Sequence, residues 1–152
     1  MKTRQLILKI VSAVLCALTI VPLFMHFITL RNGANKFRYK FANMSGSTDA
    51  LVVISRILFI ATVVIAMVLL VSLILQFFFK NDILDWIVIG AGVVVMITSS
   101  LCFVSTLLYC LSISKIGTYV WFPSFGCYML VALGIAAPIL AFISNKRVET
   151  KK

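Results

Sequence analysis

Few side chains in this sequence are equipped for chemistry, and their spacing limits what they can do. The one histidine, His26, offers an imidazole for proton relay or ligand contact. Four cysteines, Cys16, Cys102, Cys110 and Cys127, form no Cys-x-x-Cys unit and no metal-ligand spacing. Cys102 and Cys110 stand two helical turns apart, roughly 12 Å, beyond the about 7 Å that a disulfide bridges. All four read as small buried hydrophobes. The carboxylates are Asp49, Asp82, Asp85 and Glu149, and none lies mid-way along an apolar run. No acid, base and nucleophile come together, so the expectation is a protein without catalytic activity, metal or cofactor.

Binding chemistry is better represented. Lys36-Phe37-Arg38-Tyr39-Lys40-Phe41 alternates strictly between basic and aromatic residues. A period of two predicts a strand with the three cations on one face and the three aromatics on the other. The cations suit lipid phosphates or an acidic partner surface, and the aromatics suit an apolar anchor. Gly33 and Ser45-Gly46-Ser47 bound the segment with turn residues. Asn43-Met44-Ser45 also fits the glycosylation acceptor pattern.

Four long apolar runs must position these groups: 6–30, 51–79, 83–112 and 118–144. Each exceeds the ~20 residues that cross a bilayer as a helix. They are apolar around their whole circumference, as membrane helices are. The expected fold is therefore an all-α membrane protein: a single domain over 1–152 built as an antiparallel bundle of four transmembrane helices. A structured first loop at 31–50 carries the short β-like segment on the extracellular side, and a basic tail occupies 145–152. Only that first connection has room for structure. The first run is long for a signal peptide and reads as a retained helix, with Pro22 kinking it toward its outer end.

The net charge of +10 does not point to nucleic acid, because the basic residues are scattered around span ends. Lys2, Arg4, Lys9, Lys80, Lys146, Arg147, Lys151 and Lys152 collect on the side of the termini. Arg31, Lys36, Arg38, Lys40, Arg56 and Lys115 collect on the other. The excess on the first side predicts cytoplasmic termini in a plasma membrane. Arg56, six residues into the second run, is expected to snorkel to the outer interface. With His26 it forms the pair of polar residues placed within spans.

The lack of mid-span carboxylates argues against an energy-coupled transporter. Small four-span multidrug exporters rely on a glutamate in their first helix, and this first run has none. On the third run, Gly92, Ser99 and Thr106 recur every seven residues with Cys102 beside them, giving one small-polar face for helix packing or for a pore. Ser12, Ala13, Cys16 and Ala17 give the first run a small face, and Ala132 with Ala136 the fourth. The layout resembles the claudin and peripheral-myelin tetraspan architecture, a four-span bundle with a β-like first extracellular connection. That family's first loop carries a Trp and a pair of cysteines, and 31–50 contains neither, so no residue role is transferred. The expected function is that of a noncatalytic accessory or scaffold protein. Its expected partners are anionic lipid headgroups and another membrane protein subunit or a second copy of itself. The alternative is a small self-assembling channel or passive transporter lined by the small-polar face of the third run.

Overall fold

The computed structural model describes residues 3–32, 34–40, 49–79, 81–114 and 120–145. In chain order these form helix α1 (Thr3–Leu18), a 3-10 turn (Val21–Phe24), strands β1 (His26–Asn32) and β2 (Asn35–Lys40), helices α2 (Ala50–Phe78) and α3 (Asp82–Ser114), strand β3 (Val120–Pro123) and helix α4 (Phe125–Asn145). Four helical segments are long and apolar enough to cross a membrane, the first being α1 with the 3-10 turn. The second and third expected runs match α2 and α3 closely. Capping explains their starts. The Asp49 side chain accepts a hydrogen bond from the Leu51 N–H, and the Asn81 side chain accepts one from the Ile83 N–H.

The first expected run is corrected. Helix stops at Leu18 instead of reaching Leu30, and His26 begins a strand rather than sitting in a span. The Thr19 hydroxyl folds back onto the Cys16 carbonyl at 2.6 Å, using an acceptor of the last turn. Pro22, which has no N–H to give, then starts the 3-10 turn instead of kinking a continuing helix. The fourth run is corrected in the same way. Trp121 and Phe122 belong to β3, and helix begins only at Phe125. The connection between α3 and α4 thus holds structure that was expected in the first loop alone.

β1 is the middle strand of a three-stranded sheet ordered β2-β1-β3, with antiparallel pairing on both sides. Three cross-strand rows set its faces. Tyr39–Ile28–Pro123 and Phe37–Leu30–Trp121 point one way, while Arg38–Thr29–Phe122 lies between them and points the other. The inner face packs on the helices: Trp121 stacks on Tyr39 with ring centroids 5.8 Å apart and meets Tyr109 of α3 edge-on. The β1–β2 register shifts between His26 and Ile28, so Phe27 is a bulged residue. Its ring is fully buried and T-shaped against Phe59 of α2, at 5.3 Å. His26, freed by the same bulge, pairs with Lys40.

Helix packing relies on small residues. α1 touches α2 and α4, and α3 touches the same two helices. The Ser12 hydroxyl donates to the Ala137 carbonyl at 2.8 Å, and Cys16 packs in one buried cluster with Ala137 and Ala141. The small face of α4 is therefore Gly134, Ala137 and Ala141, all buried, whereas the expected Ala132 is exposed and Ala136 only half-buried. The difference is one of phase, since a uniformly apolar helix gives no stripe from which to read its inner side. A Cβ at Gly134 would lie 2.5 Å from the Ser99 Cβ on α3, and one at Gly126 would lie 2.8 Å from the His26 carbonyl oxygen. Both glycines are needed for close approach. All four cysteines are buried free thiols.

Hydroxyl pairs add to the α2–α3 seam. Ser55 meets Ser105 at 2.8 Å, and Thr62 donates to Thr98 at 2.9 Å. Such bonds average about 0.6 kcal/mol between membrane helices. Overpacking a close contact costs about 1–3 kcal/mol. Gly134→Ala should therefore destabilise the protein in detergent by about 1–3 kcal/mol, more than Thr98→Val. Adding Ser99→Gly to Gly134→Ala should recover part of the loss in thermal unfolding. A double variant no better than Gly134→Ala would separate the two positions energetically.

Candidate functional site

The bulge at Phe27 and the alternation of β2 together assemble a groove. Its lining includes His26 and Thr29 from β1, Lys36 and Arg38 from β2, Phe122 from β3, and Phe125 and Tyr128 at the start of α4. Phe24 and Met25 close the side next to the 3-10 turn. The volume is about 770 Å³, inside the range of roughly 300–1,000 Å³ typical of small-molecule sites. The backbone fixes this arrangement at two points. Ser124 N–H donates to the Phe27 carbonyl at 2.9 Å, joining α4 to β1, and the Gly126 contact seats the first turn of α4 against His26. At the other end of β3, the Ser114 hydroxyl accepts the Trp121 N–H at 2.9 Å and so ties the strand to the end of α3.

All six residues of β2 are exposed. Lys36 and Arg38 reach the groove, while Phe37 and Tyr39 lie on the opposite face, where Tyr39 is engaged by Trp121. Lys40 shares its register position with His26. Phe41 and the Asn43 acceptor triplet lie outside the described residues. The groove therefore combines cations with a separate set of aromatics, Phe24, Phe122, Phe125 and Tyr128, that come from three other elements. Phe24 and Phe125 are respectively 73% and 69% exposed, so large apolar surface is left open at the rim. Chemically, this surface can hold an anion next to an apolar body. No local pattern in the sequence signals the aromatic contribution, because its residues are spread over a hundred positions and only the sheet pairing brings them together.

The small-polar face of α3 divides between two neighbours. A Cβ at Gly92 would meet the Phe142 ring and Pro138 of α4, and Ser99 abuts Gly134. Cys102 donates to the Ser55 carbonyl at 3.4 Å, and Thr106 to the Ser55 hydroxyl at 3.3 Å, both on α2. All four positions are buried against helices. Arg56 follows Ser55 on α2 and is half-buried; it does not line the groove beside His26.

A second polar cluster has no counterpart among the sequence expectations. Lys9 of α1 is buried and donates to Gln76 Oε1 at 2.6 Å. Gln76, in the last turn of α2, in turn donates to Asp85 Oδ1 at 2.8 Å, in the first turn of α3. In the sequence Lys9 reads as a flanking charge and Asp85 as a helix-end acid, and neither suggests a meeting through Gln76. Among the described residues no group of three or more His, Cys, Asp or Glu could hold a metal. The cluster acts as a clasp across three helices. Gln76→Leu removes the acceptor of Lys9 and a donor to Asp85 together. It should lower unfolding stability by about 1.5–3 kcal/mol, the range for hydrogen bonds to charged groups, whereas Gln76→Glu, which keeps an acceptor for Lys9 but sets a second carboxylate against Asp85, should restore only part of it. An unfolding midpoint unchanged by Gln76→Leu would show that the clasp does not hold the helices.

No family model, no curated protein and no solved structure matches this chain.

Proposed function

We propose that this chain is an integral protein of the plasma membrane with four antiparallel spans and both termini in the cytoplasm. In this reading it is a noncatalytic accessory or scaffold subunit. It holds another membrane or envelope component against the basic face of its extracellular sheet. Four helices of sufficient length and apolarity support the membrane assignment. The antiparallel arrangement is supported by the residues that meet: Gln76 at the end of α2 bonds Asp85 at the start of α3, and Ser55 near the start of α2 bonds Ser105 near the end of α3.

The observation that carries the functional reading is the convergence of Lys36, Arg38 and His26 on one groove. The cations Lys36 and Arg38, on one sheet face, give charge complementarity to an anionic partner and speed its capture. A channel lined by Gly92, Ser99, Cys102 and Thr106 has less support, because those positions pack against α2 or α4.

Gentle detergent extraction from the native membrane, followed by native mass analysis, tests the proposal. The wild-type chain should carry a stoichiometric foreign component. Replacing Lys36, Arg38 and Lys40 together by Ser should reduce its recovery at least several-fold, as loss of charge-assisted contacts does, with the helical content intact. Undiminished recovery with that triple variant would sink the assignment of the basic face.

A further inference from the structure

We infer that the groove between the sheet and α4 is a binding site for one anionic phospholipid, with its phosphate on Lys36 and Arg38 and its acyl chains on the aromatic rings. This rests on the membrane-spanning reading above and names the component that the basic face holds. Depth is the first ground. α4 has 21 residues, so it is about 31 Å long at 1.5 Å per residue, which matches the ~30 Å hydrocarbon core. Its first residues, Phe125 and Tyr128, then stand where headgroups meet acyl chains. Arg38 pairs through Thr29 with Phe122, which precedes the first residue of α4, so the strand carrying Lys36 and Arg38 starts from that boundary toward the phosphates.

Composition is the second ground. A site for a free anion needs only the cations and would have no use for four aromatic rings. Here the cations occupy one wall and the rings Phe24, Phe122, Phe125 and Tyr128 the rest, the division found in an amphiphile with a charged head and an apolar body. Tyr128 is 52% exposed and leads down α4 toward the exposed Ile139 and Ile143, so chains leaving the groove meet apolar helix surface. Arginine adds a two-pronged donor suited to a phosphate. An acidic protein segment would satisfy Lys36 and Arg38 equally well, but the exposed aromatic rings at the start of α4 favour the lipid.

The full-length protein, stripped of lipid in detergent, should be titrated with phosphatidylglycerol, phosphatidylcholine and inorganic phosphate, with adducts counted by native mass spectrometry. Phosphatidylglycerol should be retained about tenfold more tightly than phosphatidylcholine, the size of a lost charge-assisted contact. Lys36→Gln and Arg38→Gln should each remove most of that preference. Phe125→Ser should weaken retention of the lipid with no change in charge. Arg4→Gln, which deletes an exposed cation at the start of α1, should leave retention unaltered, and unfolding midpoints identify any variant that fails to fold.

Equal retention of the two lipids overturns the inference, as does a loss with Arg4→Gln as large as that with Arg38→Gln. Inorganic phosphate that displaces the lipid at matching affinity, and is indifferent to Phe125→Ser, makes the groove a free-anion site and also overturns it. A foreign protein subunit retained through Lys36 and Arg38 without lipid preference removes the lipid while leaving the accessory reading in place. Loss of neither lipid nor subunit in the basic variants removes both.

Discussion

The pairing of β1 is the constraint on which the rest of this structure depends. A strand needs its N–H and C=O groups satisfied, and β1 has partners on both edges, β2 and β3. Those partners come from two different connections, one after α1 and one after α3. The sheet therefore joins the two halves of the chain at one end of the helices. Because α1 ends at Leu18, residues 26–32 are available to be that central strand. A first helix continuing to Leu30 would have left β2 as an isolated exposed strand and Trp121 without the β1 backbone beside it. The early end of one helix thus creates the sheet, the Phe27 bulge and the groove together.

Within the helices a different constraint applies. Apolar side chains cannot drive helices together in a lipid environment as they do in water, so close backbone approach and hydrogen bonding carry more of the association. The contacts follow that pattern. Gly134 meets Ser99, Ser12 reaches the Ala137 carbonyl, and Ser55 bonds Ser105 and Thr106 through its hydroxyl and Cys102 through its carbonyl. Many of the hydroxyls have the carbonyl one turn back as an alternative acceptor for their single proton, as Thr62 has Leu58 and Thr106 has Cys102. Each such hydroxyl is satisfied whether or not its partner helix is present. That keeps the cost of carrying polar groups in apolar helices low, and it makes each interhelical bond a small contribution.

What can be read from the sequence follows from these two constraints. α2 and α3 are legible because they are uniformly apolar and begin at residues able to cap them, Asp49 and Asn81. The strand over 36–40 is legible because a strict period of two matches a strand and no helix. The stretch His26-Phe27-Ile28-Thr29-Leu30 is not, because an apolar run beside an apolar helix carries no period that separates helix from strand. Trp121 and Phe122 are hidden for the same reason. The groove and the clasp are illegible on different grounds: Lys9 and Gln76 are 67 residues apart in sequence, and nothing local in either residue announces the other.

The distribution of polar groups along α2 then bears on how the molecule can respond to a ligand. The clasp lies at its end, through Gln76, and the sheet packs beside its N-terminal part, where Val52 and Phe59 share a buried cluster with Phe27. At 29 residues α2 spans about 43 Å. Between these ends the helix contacts α3 through Ser55 and Thr62 and packs Phe59 on the bulged Phe27. The clasp fixes α1, α2 and α3 at one end, while β1 fixes β2 and β3 at the other. His26 and Thr29, which line the groove, flank Phe27 and Ile28 in β1. Phe27 is the side chain of that strand that contacts α2 by ring packing. The bulge therefore ties β1, which lines one side of the groove, to α2 at Phe59, while Phe125 and Tyr128 join the groove to α4 directly.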